Sequence, residues 1–561
     1  MASYTVRVGG TGTKVQSEGA DPVANPELCM PLATALGESY SPGDVLLFAD
    51  TGGEYRATLY TPSEGADGVY FYQKAYPGHS PVFNGSNVTT GWTAHATLPN
   101  VWQKTGITKE PSMIWFDDER GGKKDNAASL AAEMDWCWVS NVAYVYTLNA
   151  SGPEVEYAEV ELAARQYCQE NNANPYVYTD GLEYKHSNWL SVYVTQGSDF
   201  SKFYNCHAHH SMVGFKCADD DCVFDSCISE WHTGDGFAGS GSVDPNSKCN
   251  RLLINLCISR ENMYIEGVNG GSGTGIKSFG MRYSTLTKTI WNDNDQGGIR
   301  LDGGGIIGVE WPEPNAYWGC EYNTVSENLC FNNGGVGGVD GDPSQVDQIM
   351  MEFSDFNTVK FNIVYDCVDG GYNIGVSRAG SCKFIGNITW GATGTSVGSI
   401  RTYFSAGGPG RTNYFVGNIV DDSYWAFSFN GNGYEYLRNN IMFNCLSYCL
   451  RWGDADAAVG YDGDYNCFHR YNDPQNTADI VKVFPVAYDF GEWKALGHDL
   501  NSIQADPLFT DPDNHDYTLQ SGSPCRGAGD KSIGPPYNEA LHPDSDITTA
   551  GGMIIVDRDD F

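Results

Sequence analysis

The chain is 561 residues long, carries a formal charge of −37, and is rich in glycine (67) and tyrosine (34). Its 70 acidic residues against 33 basic ones exclude nucleic acid as a partner, since phosphate binding needs a basic footprint, but leave room for an anionic sugar polymer in a local basic groove. No run of about 18 apolar residues marks a membrane span, and the opening MASYTVRVGG lacks the basic-then-apolar pattern of a secretion leader.

Sustained helical periodicity is scarce, which favours many short strands joined by turns. Residues 43–85 read as the first of these. The segment 98–180 fits the same scheme as early coils carrying an inserted excursion, with NVWQK (100–104), MIWFDDE (113–119), a short helical stretch ASLAAEMDWCWV (128–139), AYVYTLNASGPEV (143–155) and YVYTDGLEYKHS (176–187). From about residue 200 a two-part repeat takes over. An Asn- or Cys-bearing strand, as in FYNCHAH (203–209), NTVSENLCF (323–331) or CKFIGNITW (382–390), is followed by a short strand, as in GFKCADD (214–220), MYIEGVN (263–269), IMMEFSD (349–355) or SIRTYFS (399–405). GGIRLDGGG (297–305) is one such short strand, with glycines at both ends. No unit has a core of its own, so each must stack on its neighbours. The pattern predicts a parallel β-solenoid, with asparagine side chains laddered from coil to coil at the turns. Three regions are expected, 1–180 as cap and early coils, 181–465 as central coils with the binding cleft, and 466–561 as final coils and cap, in one continuous elongated domain. The 17 cysteines sit mostly in strand-like runs without the paired CxxC spacing of a zinc site, so they are expected as free apolar core residues.

This repeat resembles the right-handed parallel β-helix superfamily, which includes pectate lyases, polygalacturonases, alginate lyases and phage tailspikes. The stretch GDVLLFADTGGEYRATLYTPSEGADGVYFYQKAYPGHSPVFNG (43–85) is similar to the first coils of such enzymes, and GHDLNSIQADPLFTDPDNHDYTLQSGSPCRGAG (497–529) to the terminal segment of carbohydrate-active members. The resemblance implies an all-β right-handed parallel β-helix with long inserted turns and a polysaccharide or oligosaccharide substrate. It leaves the reaction open, and the NxD, DD, GHG and RxK set of polygalacturonases is missing.

Aligning the short strands turns Phe215, Phe237, Ile265, Ile299, Leu301, Met351, Ile400, Phe427, Leu450 and Trp452 inward. Lys216, Tyr264, Glu266, Arg300, Asp302, Met350, Glu352, Arg401, Tyr403, Ser428, Asn430 and Arg451 then face outward. In this register Glu266, Asp302 and Glu352 share one column, about 5 Å apart from coil to coil. Asp302 with Glu266 or Glu352 is the expected catalytic pair of a glycoside hydrolase, since crowded carboxylates can split into acid and base. Arg300, Arg401 and Lys216 would hold substrate, with Tyr264, Tyr403, Trp311 and Trp318 as stacking platforms. The insertion IIGVEWPEPNAYWGC (306–320) adds Glu310 and Glu313.

A polysaccharide lyase would use other groups, a cation on the uronate and a base at C5, from Lys216, Lys277, Arg282, Arg300 and Tyr264. No cofactor is required, although calcium could sit in the acidic clusters Asp219–Asp221 or Asp293 and Asp295. HAHH (207–210) with His232 suggests zinc only in letters, because no carboxylate partner is apparent and such histidines are expected in turns. The remaining alternatives are a phage tailspike depolymerase, expected as a homotrimer rather than a monomer, and a non-catalytic glycan-binding adhesin. An extracellular or virion-surface location fits all of them.

Overall fold

The computed structural model describes residues 2–149, 151–239, 249–263, 273–302, 319–334, 347–367, 371–377, 379–393, 398–403, 412–430, 434–453, 460–473 and 477–533. They form two compact units, one ending at Ala238 and one comprising the described residues from Gly239 on.

In the N-terminal unit, three parallel sheets are laid down coil by coil. The first contains Ser3–Arg7, Val45–Ala49, Phe71–Ala75, Val177–Asp180, Lys202–Tyr204 and Val223–Asp225. The second contains Leu59–Tyr60, Tyr167–Glu170, Leu190–Val194 and Val213–Cys217, and the third Val82–Asn84, Glu183–Lys185, His207–His209 and Ile228–Glu230. Equivalent residues of successive coils stand opposite each other, as Thr179, Phe203 and Phe224 do. Identical neighbours therefore stack, and the buried rings of Phe203 and Phe224 lie 5.3 Å apart. Strands this short suffice because all but the outermost are paired on both sides, and their inward residues are covered by two other sheets.

Between the third-sheet strand Val82–Asn84 and the second-sheet strand Tyr167–Glu170 the chain leaves the coil. Val101–Thr105, Asp135–Val139 and Val142–Tyr146 pair antiparallel, and Ile114–Phe116, Val160–Ala163 and Ser86–Val88 form a second antiparallel set. The insertion has its own apolar centre of Trp92, Trp115, Phe116, Trp136, Val145 and Leu162. The helix expected over 128–139 is not there. A single 3-10 turn, Ala127–Ser129, gives way to the strand Asp135–Val139. Asp135 accepts the backbone N–H groups of Ala131 and Ala132 at 2.9 Å, which fixes a turn, and the aromatic and β-branched residues after it favour a pleated surface.

In the second unit three parallel sheets are again built, from strands of two to six residues. The first-sheet strands run from Leu253–Asn255 to Tyr461–Asp464, the second-sheet strands from Thr274–Phe279 to Val486–Tyr488, and the third-sheet strands from Ile258–Arg260 to Ile503–Gln504. The chain passes from first to third sheet through one recurring turn, a left-handed residue followed by a buried polar one. Glu327, Phe361, Gly386, Gly417, Asn439 and Tyr465 take the left-handed position at φ between 56° and 67°. The asparagines after them form the expected ladder. Asn328 Nδ2 donates to Asn362 Oδ1 at 3.0 Å, and the series continues through Asn387, Asn418, Asn440 and Asn466 at 2.9–3.0 Å per step. Each Nδ2 also donates to a backbone carbonyl, such as Val359 O from Asn387 at 3.0 Å, so the buried amides are satisfied along the whole series.

Part of the C-terminal segment packs against the third sheet of this unit. The hairpin Phe509–Asp511 and Asp516–Leu519 packs Phe509 and Tyr517 on Ile419 and Phe443, with Ile388, Trp390 and Ile441 beside them. His515 stacks on Trp390 at 4.1 Å, ending a series of rings from Phe331 through Tyr365. The cysteines are free thiols, and all but Cys367 and Cys525 are buried.

Candidate functional site

The outer face of the second sheet in the second unit gathers the charged side chains singled out by the alternation. Ile299, Leu301, Met351, Ile400, Phe427, Leu450 and Trp452 are fully buried, which fixes the register as read; in the N-terminal unit Phe215 and Phe237 are buried in the same way. On the outward side, Lys277, Arg300, Met350, Gly375, Arg401, Ser428, Arg451 and Lys482 stand opposite one another in consecutive coils. Two residues further along, Phe279, Asp302, Glu352, Ser377, Tyr403 and Asn430 form a second column. A file of five cations thus runs up a chain whose net charge is −37.

Arg300 organises the first half of the site. Its Nη2 lies 2.6 Å from Glu352 Oε2 and 3.5 Å from Asp302 Oδ2. The three side chains are only 13%, 21% and 12% exposed, in the order Arg300, Glu352, Asp302. Glu352 therefore stands directly beside Asp302, as expected. Glu266 lies outside the described residues, as do Tyr264, Glu310, Trp311, Glu313 and Trp318. The coil preceding Asp302 is the strand Thr274–Phe279, and it presents Phe279 in the position where Glu266 was expected.

Arg401 organises the second half with a residue that sequence reasoning missed. Asp347 precedes the strand Ile349–Glu352, and its carboxylate lies over Gly375. A Cβ at Gly375 would stand 1.8 Å from Asp347 Oδ2, so the glycine is what makes room for it. Oδ1 accepts the Tyr372 backbone N–H at 2.9 Å, while Oδ2 sits 3.7 Å from Arg401 Nη2 and accepts no hydrogen bond among the described residues. Burial pushes this carboxyl up to about 6, against the opposing pull of Arg401. The Arg401 guanidinium lies over the Tyr372 ring at 4.0 Å. One coil pair further, Arg451 lies over Trp425 at 4.6 Å and donates to Asn430 Oδ1 at 2.7 Å. Tyr372 and Trp425 are the rings these two guanidiniums rest on; Tyr372 precedes its strand, and Trp425 is the first residue of the strand Trp425–Asn430. Gly375 within YNIGVSR (372–378) was the available signal, since a glycine in a strand marks a close approach.

The other expected groups lie elsewhere. Tyr403 occupies the position opposite Ser377 and Asn430. Arg282 pairs with Glu321 at 3.3 Å, on the short strand Met281–Arg282 outside the second sheet. Lys216 belongs to the N-terminal unit, opposite Tyr193 and 5.4 Å from the Trp189 ring. Asp219 is buried, with Asp220 N donating to it at 3.0 Å, and burial together with Asp199 raises its carboxyl to about 7. Asp221 and Asp293 take left-handed turn positions. Among the described residues, the groups of three donor side chains close enough to share one ion are Glu183–His207–His209 and Asp118–Glu161–His186, and neither contains Asp219, Asp220, Asp221, Asp293 or Asp295. The HAHH histidines correct the reading of that motif. His207 and His209 lie on a third-sheet strand rather than in a turn, and neighbouring coils supply carboxylates, with His207 Nε2 2.9 Å from Glu230 and His209 Nε2 3.1 Å from Glu183. Those partners lie more than twenty residues away in sequence, which is why the motif looked bare.

No family model matches the chain, and no curated protein matches it in sequence. Among solved structures it is similar to pectate lyase Pel9A, at 13% identity over 96% of this chain and 95% of that one, with a TM-score of 0.36. It is also similar to the A-module of the Azotobacter vinelandii mannuronan C-5 epimerase AlgE6, at 9% identity over 83% and 91% of the two chains and a TM-score of 0.41. The tailspike gp61 of Pseudomonas phage phi297 matches at 10% identity over 79% and 67%, with a TM-score of 0.30.

Proposed function

We propose that the outer face of the second sheet in the second unit binds an acidic polysaccharide and hydrolyses it, with Asp302 and Glu352 as the catalytic pair. The carrying observation is that both carboxylates meet one guanidinium nitrogen of Arg300, at 3.5 and 2.6 Å, inside a file of cations. Carboxylates attached to a common atom at these distances lie closer than the about 6.5–9.5 Å that inverting glycosidases need to admit water, which supports the retaining geometry of about 5–5.5 Å. One carboxyl then protonates the leaving oxygen while the other attacks the anomeric carbon, and the first activates water in the second step. Lys277, Arg401, Arg451 and Lys482 hold the acidic groups of the glycan. Asp347, beneath Arg401, is a positioning residue. It anchors the guanidinium when ionised and loosens it when protonated, so it places a limb near pH 6 in the activity profile.

The cation file favours elimination as a second reading, because a lyase must neutralise a uronate carboxylate before a base removes its C5 proton. Incubation with neutral, uronic-acid and sulfated polysaccharides separates the two. Hydrolysis yields new reducing ends alone, whereas elimination also yields the ultraviolet absorbance of an unsaturated sugar. Glu352→Gln and Asp302→Asn are each expected to lose about 10²-fold or more of the rate, and Asp347→Asn to remove the limb near pH 6. Binding without products, unchanged in the first two variants, would leave a glycan-binding protein and overturn the enzymatic reading.

A further inference from the structure

We propose that the outer face of the third sheet in the N-terminal unit carries a divalent transition-metal site, with Glu183, His207 and His209 as ligands. It is independent of the face assigned to the polysaccharide. Glu183 and His207 occupy equivalent positions in successive coils, and His209, two residues after His207, points to the same side of its strand. The parallel stacking thus brings three donors from two coils together without any local sequence motif. One donor atom from each lies within 4.8 Å of the others, and His209 Nε2 is 3.1 Å from Glu183 Oε1. Ligand atoms around one tetrahedral ion, with bonds of about 2.0–2.2 Å, are separated by about 3.3 Å, so a small movement of partly exposed side chains closes the set.

The surroundings have the form of a metal site's outer shell. Glu230, from the next coil, meets His207 Nε2 at 2.9 Å, leaving the ring's other nitrogen as a donor atom for an ion. His209 Nδ1 and His210 Nδ1 lie 2.7 Å apart and share one proton, which holds the His209 ring with Nε2 toward Glu183. Carboxylates and neighbouring groups that fix the orientation of ligating imidazoles are the usual support of such centres. The nearest cation in the same column is Lys185, opposite His209, and its ammonium is already committed to Glu54 at 2.9 Å and Asp118 at 2.8 Å. Two imidazoles with one carboxylate select zinc, nickel or copper over calcium, whose ligands are oxygens. Three protein ligands leave a coordination position open for water or another ligand.

The test uses the full chain, stripped with a chelator and titrated with Zn²⁺, and separately with Co²⁺ as a spectroscopic probe. One equivalent of Zn²⁺ is expected to bind at micromolar or tighter affinity and to raise the melting temperature, and Co²⁺ is expected to give visible bands of four-coordinate geometry. His207→Gln and Glu183→Gln should each abolish the bands, and Glu230→Gln should weaken binding by about 10–100-fold. Metal-free melting curves establish that each variant folds, and the Co²⁺ spectrum of the unaltered chain stands whether or not they do. Absence of saturable binding, or binding that persists in His207→Gln, would overturn the assignment.

Discussion

Glu435 shows how far a single residue here departs from what its letter suggests. It faces inward on the strand Tyr434–Arg438, fully buried, with Thr402 Oγ1 donating to Oε1 at 3.0 Å. Burial pushes its carboxyl to about 8 from an ordinary 4.5. The folded chain therefore holds this proton more tightly than the unfolded chain. The associated stability is complete below about pH 4.5 and is lost as the pH rises through about 8. The melting temperature should fall between about pH 4.5 and pH 8, and Glu435→Gln, which keeps the shape without the charge, should make that fall smaller. An equal fall in the variant would mean that the carboxyl is ionised throughout. In YEYLR (434–438) the alternation correctly puts residue 435 on the same side as Leu437, but a glutamate in that position reads as an outward residue. Arg300, Asp302 and Glu352 were legible because their letters and their alternation agree. Asp347 and Tyr372 were not, because each precedes the strand that carries it and reaches the site only through the coil next to it.

At the scale of elements, the asparagine ladder has the clearest energetic consequence. Asn387 accepts from the backbone N–H and Nδ2 of Asn362, and donates to Val359 O and Asn418 Oδ1. Asn387→Ala removes all of these and strands buried partners, which costs about 1–3 kcal/mol for each group left unsatisfied. Urea unfolding is the check, with a lowered midpoint expected and an unchanged one contradicting the ladder's role. The ladder was legible because asparagine recurs at one place in each repeat. The insertion between Val82–Asn84 and Tyr167–Glu170 was read less well. Its strands pair antiparallel within a small sheet, so nothing in the coil periodicity announced them, and alanine-rich ASLAAEM (128–134) mimicked a helix start.

For the whole molecule, the thiols test how the chain is held together. Stability comes from stacked coils and the side chains buried between them, with none of the cysteines in a disulfide. A thiol reagent should modify at most Cys367 and Cys525 rapidly in the native chain and all 17 cysteines after denaturation, and reductant should leave the melting temperature unchanged. Fewer than 17 thiols in denaturant would reveal a cross-link. The charge of −37 is likewise a property of the whole, against which the cations from Lys277 to Lys482 are concentrated on one sheet.

The sequence by itself determined the repeat, the alternation of inward and outward residues, the laddered turns, the free core cysteines and the place of Asp302 and Glu352 in one column. All of these follow from period and residue type along one strand or from one coil to the next. The tertiary structure alone decided which distant side chains meet. Asp347 reaches Arg401 because Gly375 leaves a gap, and Glu183 reaches His209 because their coils are stacked in register. The physical reason is that coil lengths vary while the sheets keep constant pairing. Separation along the chain therefore carries no information about separation in space until the register of every coil is known.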